Sequence, residues 1–275
     1  MTTRAGEIVV GYDGSGDSEL ALGWADELAA EQGRTLRVLI SEVDPTQVLE
    51  ATGDWHAAKM AELEAQARDR LASRQCRHSE VEVAVIPPSQ ALVDASARAA
   101  TIVVGARGHG LLSGVVLGSV SQHVTRHSSC PVVVVRVPNE PEAERVVVGV
   151  DGSTGSRKAL EFGFDHASRR SLPLTAVHAW RDGRRHGHDG LVEEIRAAER
   201  ILSEALAGFS DRYPDVKVST EAVPAPPQRV LAEASHSASL VVVGSRGLGA
   251  FVGLLLGSVS QSVLHHAQCS VAVVR

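Results

Sequence analysis

The chain has 275 residues, a net charge of −6 from Lys+Arg 27 against Asp+Glu 33, and 44% hydrophobic residues. That length suits about two domains. The acidic balance, with no long basic run, argues against sequence-independent nucleic-acid binding, and no uninterrupted apolar stretch suggests a membrane span. The opening MTTRAGEIVV lacks the apolar core of a signal peptide, so a cytoplasmic protein is expected.

Residues 9–15, VVGYDGS, read as a buried strand running into a turn and a helix start. The helix that follows carries Leu20, Ala21, Trp24, Ala25 and Leu28 at three-to-four spacing, which predicts one apolar face. VVGARGHGLLSGVVLGSVSQHVTRH (103–127) runs from a strand through a glycine-rich segment into a helix. PVVVVR (131–136) is a short apolar last strand. VPNEPEAE (137–144) holds two prolines and little to bury, so it reads as a linker between domains 1–138 and 144–275.

RVVVGV (145–150) is continuously apolar, as suits a strand covered on both faces. DGSTGS turns the chain into a helix over about 156–170, and LTAVHAW (174–180) is the next strand. After a polar loop, Leu191, Ile195, Ala198, Leu202, Ala205 and Phe209 form a helical stripe over 191–209. VKVSTEAV (216–223) alternates and is expected nearer an edge. PPQRVLAEASHS is a helix entered through proline, and SLVVVG is a fourth strand. A second glycine-rich segment, a helix over about 258–266 and the strand SVAVVR complete the half. The order βαβαβαβαβ predicts an α/β fold with a mostly parallel sheet.

The two halves are copies. Residues 7–44 match 145–182 at an offset of 138, and 101–136 match 240–275 at an offset of 139 with about 20 of 36 identities. Both carry Gly-x-x-Gly, nine residues, then Gly-Ser: Gly105, Gly108, Gly118, Ser119 and Gly244, Gly247, Gly257, Ser258. The first glycine pair follows a buried strand and the last pair precedes a helix. Glycine permits positive φ and close approach of a ligand to the backbone, while exposed N–H groups and a helix N-terminus suit phosphate. Ligands of open α/β sheets bind at the carboxyl ends of the strands, where this segment and Asp13 or Asp151 fall.

Other residues carry plainer readings beside the functional ones. Asp13 and Asp151 stand at a helix entrance, where capping or turn formation competes with nucleotide contact. Ser119 and Ser258 begin a Ser-x-x-Gln capping box with Gln122 and Gln261. Arg107 and Arg246 lie inside the turn, as phosphate partners or as surface arginines. His127 and His266 near a helix C-terminus suit the dipole, and His186 and His188 alone do not make a metal site. Cys76, Cys130 and Cys269 form no CxxC and read as small buried hydrophobes. No Walker lysine accompanies the glycines.

GSRGLGAFVGLLLGSVSQSVLHH, with VVVGVDGS opening its half, and GARGHGLLSGVVLGSVSQHVTRH in the first half closely resemble the universal stress protein family, in its ATP-binding branch. The resemblance covers essentially the whole chain as a tandem pair. It implies two tandem five-stranded parallel sheets of order 3-2-1-4-5 flanked by helices, Rossmann-like and adenine nucleotide alpha hydrolase-like. It implies ATP with Mg2+ across the carboxyl edge, Asp13 and Asp151 near the ribose or base, and Ser41 and Ala179 lining the adenine pocket. Ribose and phosphates would fall to Gly105, Gly108, Gly118, Ser119, Val120 and Ser121, and to Gly244, Gly247, Gly257, Ser258, Val259 and Ser260. The stretches IPPSQ and APPQR depart from the family pattern, and Ser41 and Glu42 replace its usual apolar residues, so the second pocket matches better.

The resemblance also implies that the last strands of the two halves pair within one chain, with room for a homodimer of whole chains. The implied role is a nucleotide-dependent regulator of stress response that binds rather than turns over its ligand. A slow ATPase or nucleotidyl transferase, and an interaction module with vestigial pockets, are the alternatives.

Overall fold

The computed structural model describes residues 6–42, 53–74, 76, 78–108, 117–137, 144–181, 188–248 and 255–275. The core of the linker, His186 and the middle of each glycine-rich segment lie outside the described residues. The chain divides into two compact units, Met1–Arg136 and Val137–Arg275.

The first unit runs β1 (Ile8–Gly11), α1 (Gly16–Gln32), β2 (Leu36–Ser41), α2 (Gly53–Ser73), β3 (Ser79–Ala84), α3 (Pro88–Ala95), β4 (Thr101–Gly105), α4 (Ser119–His127) and β5 (Val132–Val135). The second repeats this as β6 (Val146–Gly149), α5 (Thr154–Arg170), β7 (Leu174–Ala179), α6 (His188–Leu206), α7 (Phe209–Arg212), β8 (Val218–Val223), α8 (Pro227–Ala234), β9 (Leu240–Gly244), α9 (Ser258–His266) and β10 (Ser270–Val274). A short 3-10 turn, Ser235–Ser237, separates α8 from β9.

Within the first unit the strand order is β3-β2-β1-β4-β5, and within the second β8-β7-β6-β9-β10. Every neighbouring pair inside a unit is parallel. The chain therefore winds outward from β1 in one direction and returns to its other side as β4, leaving a crevice at the β1/β4 switch and at β6/β9. Register places Val10 beside Val103 and Val148 beside Val242. Ile8–Val10 and Val146–Val148 are wholly buried, as continuous apolarity requires of strands covered on both faces. β3 and β8, which alternate, are largely exposed along their length.

Two expectations need correction. The buried residues of α1 are Ser18, Ala21, Leu22, Gly23, Ala25, Leu28 and Ala29, whereas Leu20 is 42% exposed and Trp24 only half-buried. The inward stripe is rotated by one residue, toward Ser18, Leu22 and Ala29, and a Cβ on Gly23 would lie 3.0 Å from the Arg74 guanidinium, so that glycine makes room for Arg74. The stripe read over 191–209 is also broken. α6 ends at Leu206, Gly208 takes φ +80°, and Phe209 starts α7, where its ring stacks on Phe164 at 4.6 Å.

Candidate functional site at the strand ends

Each unit builds its site from the turn after its first strand. Gly14 and Gly152 take φ +80° and +82°, and so turn the chain sharply. The Asp13 and Asp151 Oδ1 atoms accept the amide N–H of Ser15 and Ser153, each at 3.0 Å. These serines, not the aspartates, cap α1 and α5 by accepting from the amides of Ser18 and Ser156. The aspartates thus shape the turn and keep a second oxygen for the glycine-rich segment.

In the second unit Asp151 Oδ2 accepts the Leu248 amide at 3.0 Å, which pins the segment just after Gly247. Burial pushes the Asp151 carboxyl up, but bonds from Ser153, Leu248 and Ser156 outweigh it and hold the group below the usual carboxylate range. A Cβ on Gly247 would collide with Asp151 Oδ2, and one on Gly108 would lie 2.5 Å from Asp13 Oδ2. Neither glycine has positive φ. They are glycines because a carboxylate packs on their Cα, so the positive-φ expectation belongs to Gly14 and Gly152 instead.

Gly105 and Gly244 end the fourth strands against the first turn of α1 or α5. A Cβ on Gly105 would lie 2.7 Å from the Asp17 carbonyl carbon, and one on Gly244 2.8 Å from that of Gly155. The excursion closes where the Gly118 amide donates to Ala106 O and the Gly257 amide to Ser245 O, both at 2.7 Å. Ser121 Oγ donates to Gly105 O and Ser260 Oγ to Gly244 O, both at 2.6 Å, tying helix start to strand end.

Gly118 and Gly257 are the N-caps of α4 and α9, and no side chain caps either helix. The Ser-x-x-Gln capping box is therefore not formed, since Ser119 and Ser258 already sit at the first helical position. The first-turn N–H groups of both helices are left for water or a ligand.

Each crevice holds a cavity, of about 320 Å³ in the first unit and about 510 Å³ in the second. These volumes match small-molecule sites, roughly 300–1,000 Å³. Asp13, Ser41, Gly105, Gly108, Gly118, Ser119, Val120 and Ser121 all line the first. Asp151, Ala179, Gly244, Gly247, Gly257, Ser258, Val259 and Ser260 all line the second. Sequence reasoning missed the apolar walls: Leu39, Ile40, Met60, Leu63, Leu92 and Val104 in one, Val150, Val177, Leu231 and Val243 in the other. It also missed Pro88 and Pro227 at the mouths of α3 and α8. A signal existed in the strand glycines: Cβ atoms on Gly11 and Gly149 would lie 3.0 Å from Leu92 and Leu231 Cδ1.

The cavities differ at the end of the second strand. Ser41 Oγ donates to Ile86 O, and Glu42 pairs with Lys59 at 2.7 Å, so polar residues in the first pocket are matched by polar partners. In the second unit Trp180 follows Ala179. Its indole N–H donates to Glu194 at 3.0 Å, and its ring stacks on His178, whose Nδ1 donates to Val150 O at 2.7 Å.

The histidines near helix ends return to their own helices: His127 Nδ1 to His123 O at 2.9 Å, and His266 Nδ1 to Ser262 O at 2.8 Å. Among the described residues no three His, Cys, Asp or Glu side chains could hold a metal ion, and no helix is long and apolar enough to cross a membrane. Cys130 and Cys269 are buried. Cys76 is not a plain hydrophobe. Its thiol donates to Asp26 at 2.7 Å and is pushed up to about 12 by burial and by that carboxylate.

A Rossmann-like α/β unit with a glycine-lined crevice at its strand ends occurs twice in the chain. The family model for the universal stress protein family matches residues 5–136 and again 142–275, and the chain belongs to that family. It is 39% identical over 290 residues to universal stress protein Rv2005c of Mycobacterium tuberculosis, covering 98% of this chain and 96% of that protein. A universal stress protein of Mycolicibacterium smegmatis is 37% identical over 284 residues, with coverage of 98% and 96%. A crystal structure of a universal stress protein from Archaeoglobus fulgidus superposes with a TM-score of 0.72 at 21% identity, over 99% of this chain and 97% of that one. That last likeness speaks for the fold.

Proposed function

We propose that the chain binds ATP in its two strand-end cavities and acts as a nucleotide-dependent regulator of stress response in the cytoplasm. The observation that carries this reading is the repeated cavity, with an apolar floor, a glycine rim and an uncapped helix N-terminus at one sheet edge. Apolar walls such as Leu39 and Ile40, or Val177 and Leu231, suit a purine base. Asp13 and Asp151 at the turn suit ribose hydroxyls, which donate to a carboxylate. Amides of Ser119–Ser121 and Ser258–Ser260 suit phosphate oxygens. Any Mg2+ would enter on the phosphates, in keeping with the lack of a three-ligand cluster among the described residues.

The reading makes the protein a binder whose output depends on which nucleotide it holds. The apolar last strands PVVVVR and SVAVVR need covered edges, and we propose that they pair within the chain and that whole chains can dimerise. Light scattering on residues 1–138 and on the full chain checks this: the isolated half should associate. The binding claim is checked by denaturing freshly purified protein and identifying the released nucleotide. Adenine nucleotide in the supernatant supports it, and release of ADP that depends on Gly247 would point to slow turnover instead.

A further inference from the structure

We propose that the second unit holds an oxyanion subsite at Arg246, one that the first unit fills with its own Asp17 carboxylate; this rests on the nucleotide reading above. Arg107 and Arg246 are equivalent residues of the two glycine-rich segments, and each lines its cavity. In the first unit Asp17 Oδ2 accepts two bonds from Arg107, from the backbone amide at 3.0 Å and from Nε at 3.1 Å. One carboxylate oxygen thus satisfies both donors. Asp17 lies in the first turn of α1, where the helix N-terminus favours a negative charge. Its backbone rests on Gly105, at the edge of the cavity.

The second unit has Gly155 in that place. A Cβ on Gly155 would lie 2.6 Å from Arg246 O, so no side chain can start there without displacing the segment. Among the described residues, neither the Arg246 amide nor its guanidinium has a protein acceptor, and the side chain is exposed. The donor pair that an internal carboxylate saturates in one unit is open in the other. A phosphate oxygen accepts from an amide and a guanidinium just as a carboxylate does.

The two cavities therefore select different members of one ligand class. The second favours nucleotides with a longer phosphate chain, whose terminal oxyanions reach Arg246. In the first, Asp17 neutralises Arg107 and saturates the same donor pair, so it offers a phosphate chain no open cation there and favours adenine nucleotides with fewer phosphates. Residues 17 and 155, which lie on helices rather than in the glycine-rich segment, set the difference.

Calorimetric titration of inorganic tripolyphosphate, ATP and AMP into the full chain tests this, with Arg246→Ala and Asp17→Ala as variants. Tripolyphosphate should bind the unaltered chain at one site. Arg246→Ala should weaken tripolyphosphate and ATP at that site by about tenfold, with little change for AMP. Asp17→Ala should open a second tripolyphosphate site. If Asp17→Ala does not fold, as judged by circular dichroism, Asp17→Asn removes the charge with less change of shape. A chain that binds ATP, but whose ATP-to-AMP preference neither substitution moves, overturns this inference and leaves the nucleotide reading standing. Tripolyphosphate binding in the expected pattern without adenine-nucleotide binding keeps the oxyanion subsite at Arg246 but overturns the nucleotide reading and, with it, the selection between nucleotides. A chain that binds none of the three overturns both.

Discussion

The Asp151 carboxylate occupies the space in which a side chain on Gly247 would begin. The same Oδ2 accepts the Leu248 amide, so turn and glycine-rich segment are locked at one atom. Gly247→Val should break this lock, displace the segment and lose most ATP affinity at the second cavity while far-UV circular dichroism stays near that of the unaltered protein. Gly108→Val asks the same of the first cavity, where the clash is with Asp13. A folded Gly247→Val protein with unchanged ATP affinity would falsify the assignment of this segment to the site.

His166 is buried in α5, and burial, with Arg170 as a second cause, pushes its imidazole down to about 3. The unfolded chain takes up this proton near pH 6.5, the folded one only near 3, so stability is full above about 6.5 and falls as the pH drops toward 3. The slope from this one group is at most about 1.4 kcal/mol per pH unit. Leu28 holds the equivalent buried place in the first unit. His166→Leu should flatten the acid limb of a urea-denaturation series between pH 6.5 and 4. An unchanged limb would show that other groups carry it.

Ser171 ends α5 in the left-handed conformation, φ +55°, where the first unit has Gly33 at φ +60°. A non-glycine residue pays a steric cost there, about 1 kcal/mol, partly offset by glycine's greater freedom when unfolded. Ser171→Gly should raise stability by roughly 0.5–1 kcal/mol, read as an increase in the urea midpoint without change of slope. A lower midpoint would contradict the cap assignment.

Ser260 lines the second cavity, yet its hydroxyl already donates to Gly244 O at 2.6 Å. Ser260→Ala removes that donor at a buried position and should cost about 1–3 kcal/mol of stability. Thermal melts without ligand separate this from a binding role. A variant that melts normally but binds ATP weakly would give the hydroxyl to the ligand instead.

The sequence made the crevice legible because its signal is local and doubled: strand, glycines, Gly-Ser, helix, at the same spacing in both halves. The mostly parallel sheet followed from the alternation of elements and the strand order from the family resemblance, and the site residues named in both halves line the two cavities. The reasons for individual residues were less legible. Which glycine needs positive φ depends on the path of the turn, and Gly14 and Gly152 hide in short DGS stretches. Which residue caps a helix depends on one backbone angle, so Gly118 and Gly257 displaced the serines beside them. Met60, Leu63, Leu92 and Leu231 look like ordinary core residues in sequence. Only packing shows that one side of them faces a cavity.

Titrating ATP with Mg2+ into the full chain while following its melting asks whether these cavities bind adenine nucleotide. Only the folded chain presents the site, so ATP at about 100 times its Kd should add roughly 2.7 kcal/mol per independent site and raise the melting temperature. Saturable binding with that shift, lost in Gly247→Val for the second unit, is expected. An unchanged melting temperature and no saturable heat at millimolar ATP would contradict it.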